Sequence, residues 1–119
     1  MKRKILVVDD TEEILHGINE YLLMEGFDVS MARNGKEALS KISIVNPDLM
    51  ITDLVMNEMT GFELLAELKK NKSYAAMKIL VFSARPLDDT EKTELGADFY
   101  VLKPANPEVI LEHVKKLLL

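Results

Sequence analysis

Ile5-Leu6-Val7-Val8-Asp9-Asp10 is the stretch that decides the fold. Four apolar residues in a row, three of them β-branched, are too few for a core helix and too uniformly apolar for a strand with one wet face. Such a run reads as a strand buried on both sides, as in a parallel sheet covered by helices. It stops at two carboxylates, so its carboxyl end is polar. Four more short runs follow, over residues 29–32, 49–51, 79–82 and 99–102.

Between the runs, apolar residues recur at helical spacing: Ile14, Ile18, Tyr21 and Leu22; Ala38, Leu39 and Ile42; Leu64, Leu65 and Leu68; and Ile110, Leu111, Val114, Leu117 and Leu118. These are amphipathic helices. Five strand–helix alternations predict an α/β, doubly wound (βα)₅ domain, a three-layer sandwich. Turn residues agree: Gly26, Asn34-Gly35, Asn46-Pro47, Gly96 and Pro104 fall at the expected breaks. The fourth helical stretch, residues 87–95, differs, because seven polar residues separate its two leucines. With little to bury, it belongs to the low-stability part of the fold and can be remodelled. Met24, Met31, Met50 and Met77 read as core or gap filling. His16 and His113 read as solvated or packed rather than reactive.

The 119 residues suit one domain, 1–119, and a chain of this size buries enough surface to fold without staples. Fifteen Lys and Arg against twenty Asp and Glu give a formal charge of −5, which argues against direct nucleic-acid binding. There is no cysteine, hence no disulfide and no thiolate chemistry. The basic start Met1-Lys2-Arg3-Lys4 precedes an apolar run far too short for a signal peptide, and no run approaches the ~20 residues of a membrane span. The expectation is a soluble, cytoplasmic protein with no membrane partner.

In an open parallel sheet, ligands bind beyond the carboxyl ends of the strands. Here those ends carry Asp9-Asp10, Asp53, Ser83-Ala84 and Lys103-Pro104. Taken singly, each has an ordinary structural use: Asp9, Asp10 and Thr11 as caps of the first helix, Asp53 in a turn, Ser83 as a cap of the fourth helix, Lys103 in a solvated loop. Together they do not, because crowded carboxylates repel by roughly 4 kcal/mol per close pair at ~4 Å and an effective dielectric of ~20. A cation relieves that repulsion. All-oxygen ligation with room for water suits Mg²⁺. A carboxylate can also attack a phosphoryl group, forming an aspartyl phosphate, if a metal and an ammonium offset the charge.

Over nearly its whole length the sequence resembles response-regulator receiver domains. The resemblance implies Asp9 and Asp10 as an acidic metal-binding pair and Asp53 as phosphoacceptor and metal ligand, with the backbone carbonyl of Val55. It also implies Ser83 as switch hydroxyl, Lys103 before a cis bond to Pro104, the Ala84 amide on the phosphoryl group, and Tyr100 as switch aromatic. Met56, Met59 and Gly61 match the loop after the phosphoacceptor. A flavodoxin-like sheet of order 2-1-3-4-5 is implied as well. So are Mg²⁺ as cofactor and a sensor histidine kinase or phosphotransfer protein as phosphoryl donor. The output would be a protein target, met through the fourth helix, fifth strand and fifth helix. The expected role is a phosphoacceptor switch, not an enzyme. Asn57, Thr60 and Ala105 depart from the usual proline, aspartate and aromatic. Val55 and Arg85 occupy the variable positions that in such domains tune phosphate lifetime. A metal-dependent phosphohydrolase would need a second aspartate two residues after Asp53, where Val55 stands.

Overall fold

The computed structural model describes residues 2–119. Five strands alternate with five helices: β1 (Lys4–Val8), α1 (Glu12–Met24), β2 (Asp28–Ala32), α2 (Gly35–Val45), β3 (Leu49–Thr52), α3 (Gly61–Lys69), β4 (Lys78–Ser83), α4 (Asp89–Leu95), β5 (Phe99–Leu102) and α5 (Pro107–Leu118). The strands form one sheet in the order β2-β1-β3-β4-β5, with every pairing parallel. A short 3₁₀ turn, Lys72–Tyr74, lies between α3 and β4 and has no apolar periodicity that would have predicted it.

Alternation along the strands divides the interior into two cores. Ile5, Val7, Leu49, Ile51, Leu80 and Phe82 face α1 and α5. Leu6, Val8, Met50 and Val81 face the other layer, where Ala38, Ile42, Leu64, Leu65 and Leu95 close the core. This makes a three-layer sandwich, and it explains why the central strands are apolar at successive positions.

The helix ends follow from local chemistry. Asn34 caps α2 by accepting the Glu37 N–H at 2.8 Å, and Asn46 ends it in the left-handed region at φ 56°. Thr60 and Glu63 form a capping box at α3, which gives the departure at Thr60 a structural role. Asp88 and Glu91 form another at α4, and Gly96 closes that helix at φ 68°. Thus Ser83 does not cap the fourth helix.

Two expectations need correction. Met24 is 85% exposed and fills no core, because it is the last residue of α1, beyond the final buried turn at Leu22. Leu87 lies outside α4; it packs against the second core from the preceding loop, so only Leu95 is buried within the helix. Met50 and Met77 are buried and Met31 is half-buried, as read from the sequence. His16 is exposed and pairs with Glu12, whereas His113 stacks on Phe99 at a centroid distance of 3.9 Å.

Candidate functional site

Asp9, Asp53 and Lys103 stand one step beyond the ends of β1, β3 and β5, and the sheet's hydrogen bonding extends just far enough to hold them. The Asp9 N–H donates to the Ala32 carbonyl at 3.1 Å, the Asp53 N–H to Val8 at 3.0 Å and the Lys103 N–H to Ser83 at 2.9 Å. Each backbone is therefore fixed by the neighbouring strand before any side-chain contact is made.

Lys103 Nζ sits between two carboxylates, 2.7 Å from Asp9 Oδ2 and 3.0 Å from Asp53 Oδ2. All three side chains are largely buried, and the ammonium also lies 5.4 Å from the Phe82 ring centroid. Burial acts to lower the Lys103 pKa and is the largest single influence. The hydrogen bonds and charges of Asp9 and Asp53 together outweigh it, so the group titrates above its ordinary value. The other carboxylate oxygens take backbone donors: Asp9 Oδ1 accepts from Thr11 N–H at 2.9 Å, and Asp53 Oδ1 from Leu54 N–H at 2.7 Å. Thr11 stands at the N-cap of α1 without a side-chain capping bond.

Asp10 is exposed, unlike Asp9, yet one oxygen from each of Asp9, Asp10 and Asp53 lies within 4.8 Å of the others. Two ligands on one octahedral Mg²⁺ at ~2.05 Å are at most about 4.1 Å apart, so small side-chain rotations bring the three oxygens into range. The donor set is all oxygen and carries formal negative charge in excess of the single ammonium. It fits Mg²⁺ and has no soft ligand to favour another metal.

Around this cluster, Ser83 is buried and its Oγ accepts the Arg85 N–H at 3.3 Å, while Ala84 is exposed at the mouth. The Val55 side chain is 61% exposed and apolar, so it offers no acid or base. The Lys103–Pro104 bond is cis. Tyr100 is half-buried, and its hydroxyl donates to the Lys92 carbonyl at 2.7 Å and accepts the Ala97 N–H at 3.0 Å. One neighbour escaped the sequence reading. Thr52, fully buried, donates from Oγ1 to the Asp53 carbonyl at 2.8 Å. A hydroxyl ending an apolar strand was the available signal. Arg85 stacks over Phe62 at 5.1 Å and pairs with Glu91 at 2.8 Å, a contact that no local pattern announces.

The family model described as the response regulator receiver domain matches residues 5–115. The chain belongs to the response regulator receiver domain family. The receiver domain is 36% identical over 118 residues to the alkaline phosphatase synthesis transcriptional regulatory protein PhoP of Bacillus subtilis, covering 99% of this chain and 49% of that protein. It is 35% identical over 115 residues to the regulatory protein VanRc of Enterococcus gallinarum, covering 97% and 49%. The chain thus spans about half the length of these curated relatives. Among solved structures, the chemotaxis response regulator CheY4 of Vibrio cholerae superposes with a TM-score of 0.92 at 31% identity, covering 99% of this chain and 100% of that one. The response regulator TrrA of Thermotoga maritima, in complex with Mg²⁺-BeF, gives 0.85 at 38% identity over 98% and 99%. The receiver domain is therefore a signal-transduction module of two-component systems, regulatory in kind. Among its described residues no helix is long and apolar enough to cross a membrane.

Proposed function

We propose that residues 1–119 act as one receiver unit that accepts a phosphoryl group onto Asp53 from the phosphohistidine of a sensor histidine kinase or phosphotransfer protein, in the cytoplasm and with Mg²⁺. The observation that carries this reading is the convergence of Asp9, Asp10 and Asp53 within 4.8 Å, with Lys103 Nζ 3.0 Å from Asp53 Oδ2. A nucleophilic carboxylate, two further acidic ligands and one buried ammonium are the parts that phosphoryl transfer to an aspartate requires.

In the step itself, an Asp53 carboxylate oxygen forms the new O–P bond while the P–N bond of the donor breaks and its electron pair returns to the imidazole nitrogen. Asp9, Asp10, Asp53 and the Val55 carbonyl would hold Mg²⁺, which would supply positive charge to offset that of the transferring group. The Lys103 ammonium and the Ala84 amide bind phosphoryl oxygens, and the Ser83 hydroxyl moves to donate a hydrogen bond to the same group. Tyr100 then turns inward. That turn breaks its bonds to Lys92 and Ala97, and so alters the surface formed by α4, β5 and α5, where the downstream protein is met. A cavity of about 150 Å³ lined by Ser83, Leu87, Lys92 and Tyr100 supports this, since close-packed interiors rearrange where space already exists. DNA contact is not assigned to these 119 residues, whose formal charge is −5. The relatives named as transcriptional regulators are about twice as long as the matched region.

Intact-mass measurement after incubation with acetyl phosphate tests the assignment. One phosphoryl addition is expected with Mg²⁺, little without it, and none in Asp53→Asn, whose amide is a poor nucleophile. An unchanged mass gain in that variant refutes Asp53 as the acceptor.

A further inference from the structure

Arg85 ties together three separate parts of the molecule. Its backbone N–H is bound to Ser83 Oγ at 3.3 Å, its guanidinium lies 5.1 Å from the ring of Phe62 in the first turn of α3, and the same guanidinium donates to Glu91 Oε2 at 2.8 Å on α4. Gly61, next to Phe62, leaves no room for a Cβ beside the Asp53 carbonyl, so the Arg85–Phe62 contact lies one residue from the segment that packs on Asp53. The register pairs Thr52 with Val81, so Asp53, just past β3, comes beside Phe82 on the neighbouring strand ~4.8 Å away, with Ser83 one residue further on. The Arg85 side chain thus starts two residues beyond the end of the strand that neighbours Asp53.

Glu91 is bound to more than Arg85. Its other oxygen accepts the Asp88 N–H at 3.1 Å in the capping box of α4, and its carboxyl is held below the ordinary value chiefly by the Arg85 hydrogen bond. The helix it serves buries only Leu95, so polar ties of this kind carry much of its placement. Two others, Tyr100 to the Lys92 carbonyl and Lys69 to the Glu94 carbonyl, hold the same helix from β5 and α3.

We propose that the Arg85–Glu91 pair, with Arg85 stacked on Phe62, is a resting-state latch. A phosphoryl group on Asp53 competes with Glu91 for the one guanidinium, so occupancy of the site and release of the α4 N-terminus are coupled through Arg85. This rests on the proposed phosphoacceptor role of Asp53. The latch lowers the affinity for the phosphoryl group by the free energy needed to break it, and an exposed ion pair of this kind supplies a factor of about two to five. Glu91 is a positioning residue, acting on the site through Arg85, whose guanidinium is the group that meets the phosphoryl oxygens.

The test is titration with Mg²⁺ and beryllium fluoride as the phosphoryl mimic, by calorimetry, on four forms of the 119-residue chain: wild type, Glu91→Gln, Arg85→Gln and the double variant. The Glu91→Gln side chain keeps an oxygen for the Asp88 N–H but loses the charge. This variant is expected to bind the mimic about two- to fivefold more tightly than wild type. In the Arg85→Gln background the same change is expected to have no effect, because no guanidinium is left to release. A purely structural role of Glu91 would persist in that background. Unchanged or weaker binding by Glu91→Gln, or an equal gain with and without Arg85, overturns the latch and leaves Asp53 as acceptor intact. Failure of the wild type to bind the mimic overturns the site assignment itself, and the latch with it.

Discussion

Replacing Gly61 by alanine probes how tightly the loop after Asp53 is held. A Cβ at that position would lie 2.2 Å from the Asp53 carbonyl oxygen and 2.7 Å from Leu54 Cα. Both are backbone atoms, so no side-chain rotation relieves the overlap, and the Gly61 N–H bond to the Leu54 carbonyl at 2.9 Å pins the two segments together. Separating them by the required ~1 Å costs about 2–3 kcal/mol, the upper part of the range for overpacking. Unfolding entropy of about 2.1 cal/mol/K per residue gives about 0.25 kcal/mol/K for this chain, so the expected fall in Tm is about 8–12 °C. The displaced backbone is that of Asp53, and a misplacement of ~1 Å at a reacting group costs on the order of 100-fold in rate. Thermal unfolding by circular dichroism and the rate of phosphoryl gain from acetyl phosphate measure the two effects. Gly17→Ala is the control. Its Cβ meets nothing within 4 Å in the middle of α1, and it should stabilise by about 0.5–1 kcal/mol. A Gly61→Ala variant that melted within about 2 °C of wild type and gained phosphoryl at the same rate would refute the reasoning.

Lys103→Met leaves Asp9 and Asp53 buried without their shared cation; a loss of about 3–5 kcal/mol is expected in metal-free buffer, with part of it recovered in about 10 mM Mg²⁺, read by urea denaturation. Because the folded-state pKa of Lys103 lies above its ordinary value of 10.5, its contribution is complete below that pH and is lost only as pH rises through the raised value; a wild-type advantage that vanished near neutrality would contradict the buried pair. Asp10→Ala should abolish or strongly reduce the Mg²⁺-induced rise in Tm, while in metal-free buffer it should leave Tm unchanged or slightly higher, since an exposed carboxylate has been removed from an acidic cluster. Backbone amide exchange with and without Mg²⁺ and beryllium fluoride should change most between residues 83 and 100, because α4 buries only Leu95; changes confined to α1 and α2 would break the proposed link between Ser83 and Tyr100.

Much of this molecule is written in short-range pattern. The apolar run ending in Asp9-Asp10, its four counterparts and the helical spacing between them determine five strands, five helices and a two-faced parallel sheet, because burial on both faces requires an apolar residue at every strand position. The same pattern puts Asp9, Asp10, Asp53, Ser83 and Lys103 at one sheet edge, since parallel strands all end on the same side. Periodicity says which residues are buried, but not against which partner. That Lys103 reaches Asp9 across 94 positions and Asp53 across 50, while adjacent Asp10 stays exposed, depends on how the strands lie side by side. Met24 shows the limit from the other direction: it continues an apolar stretch, and only the place where α1 runs past the sheet leaves it in water. The pressure of Gly61 on Asp53, and the grip of Arg85 on Phe62 and Glu91, likewise join segments far apart in sequence or set at angles no local rule specifies. They were decided by tertiary structure because a close approach between backbones, or a guanidinium held between a ring on one helix and a carboxylate on another, exists only once the layers have packed.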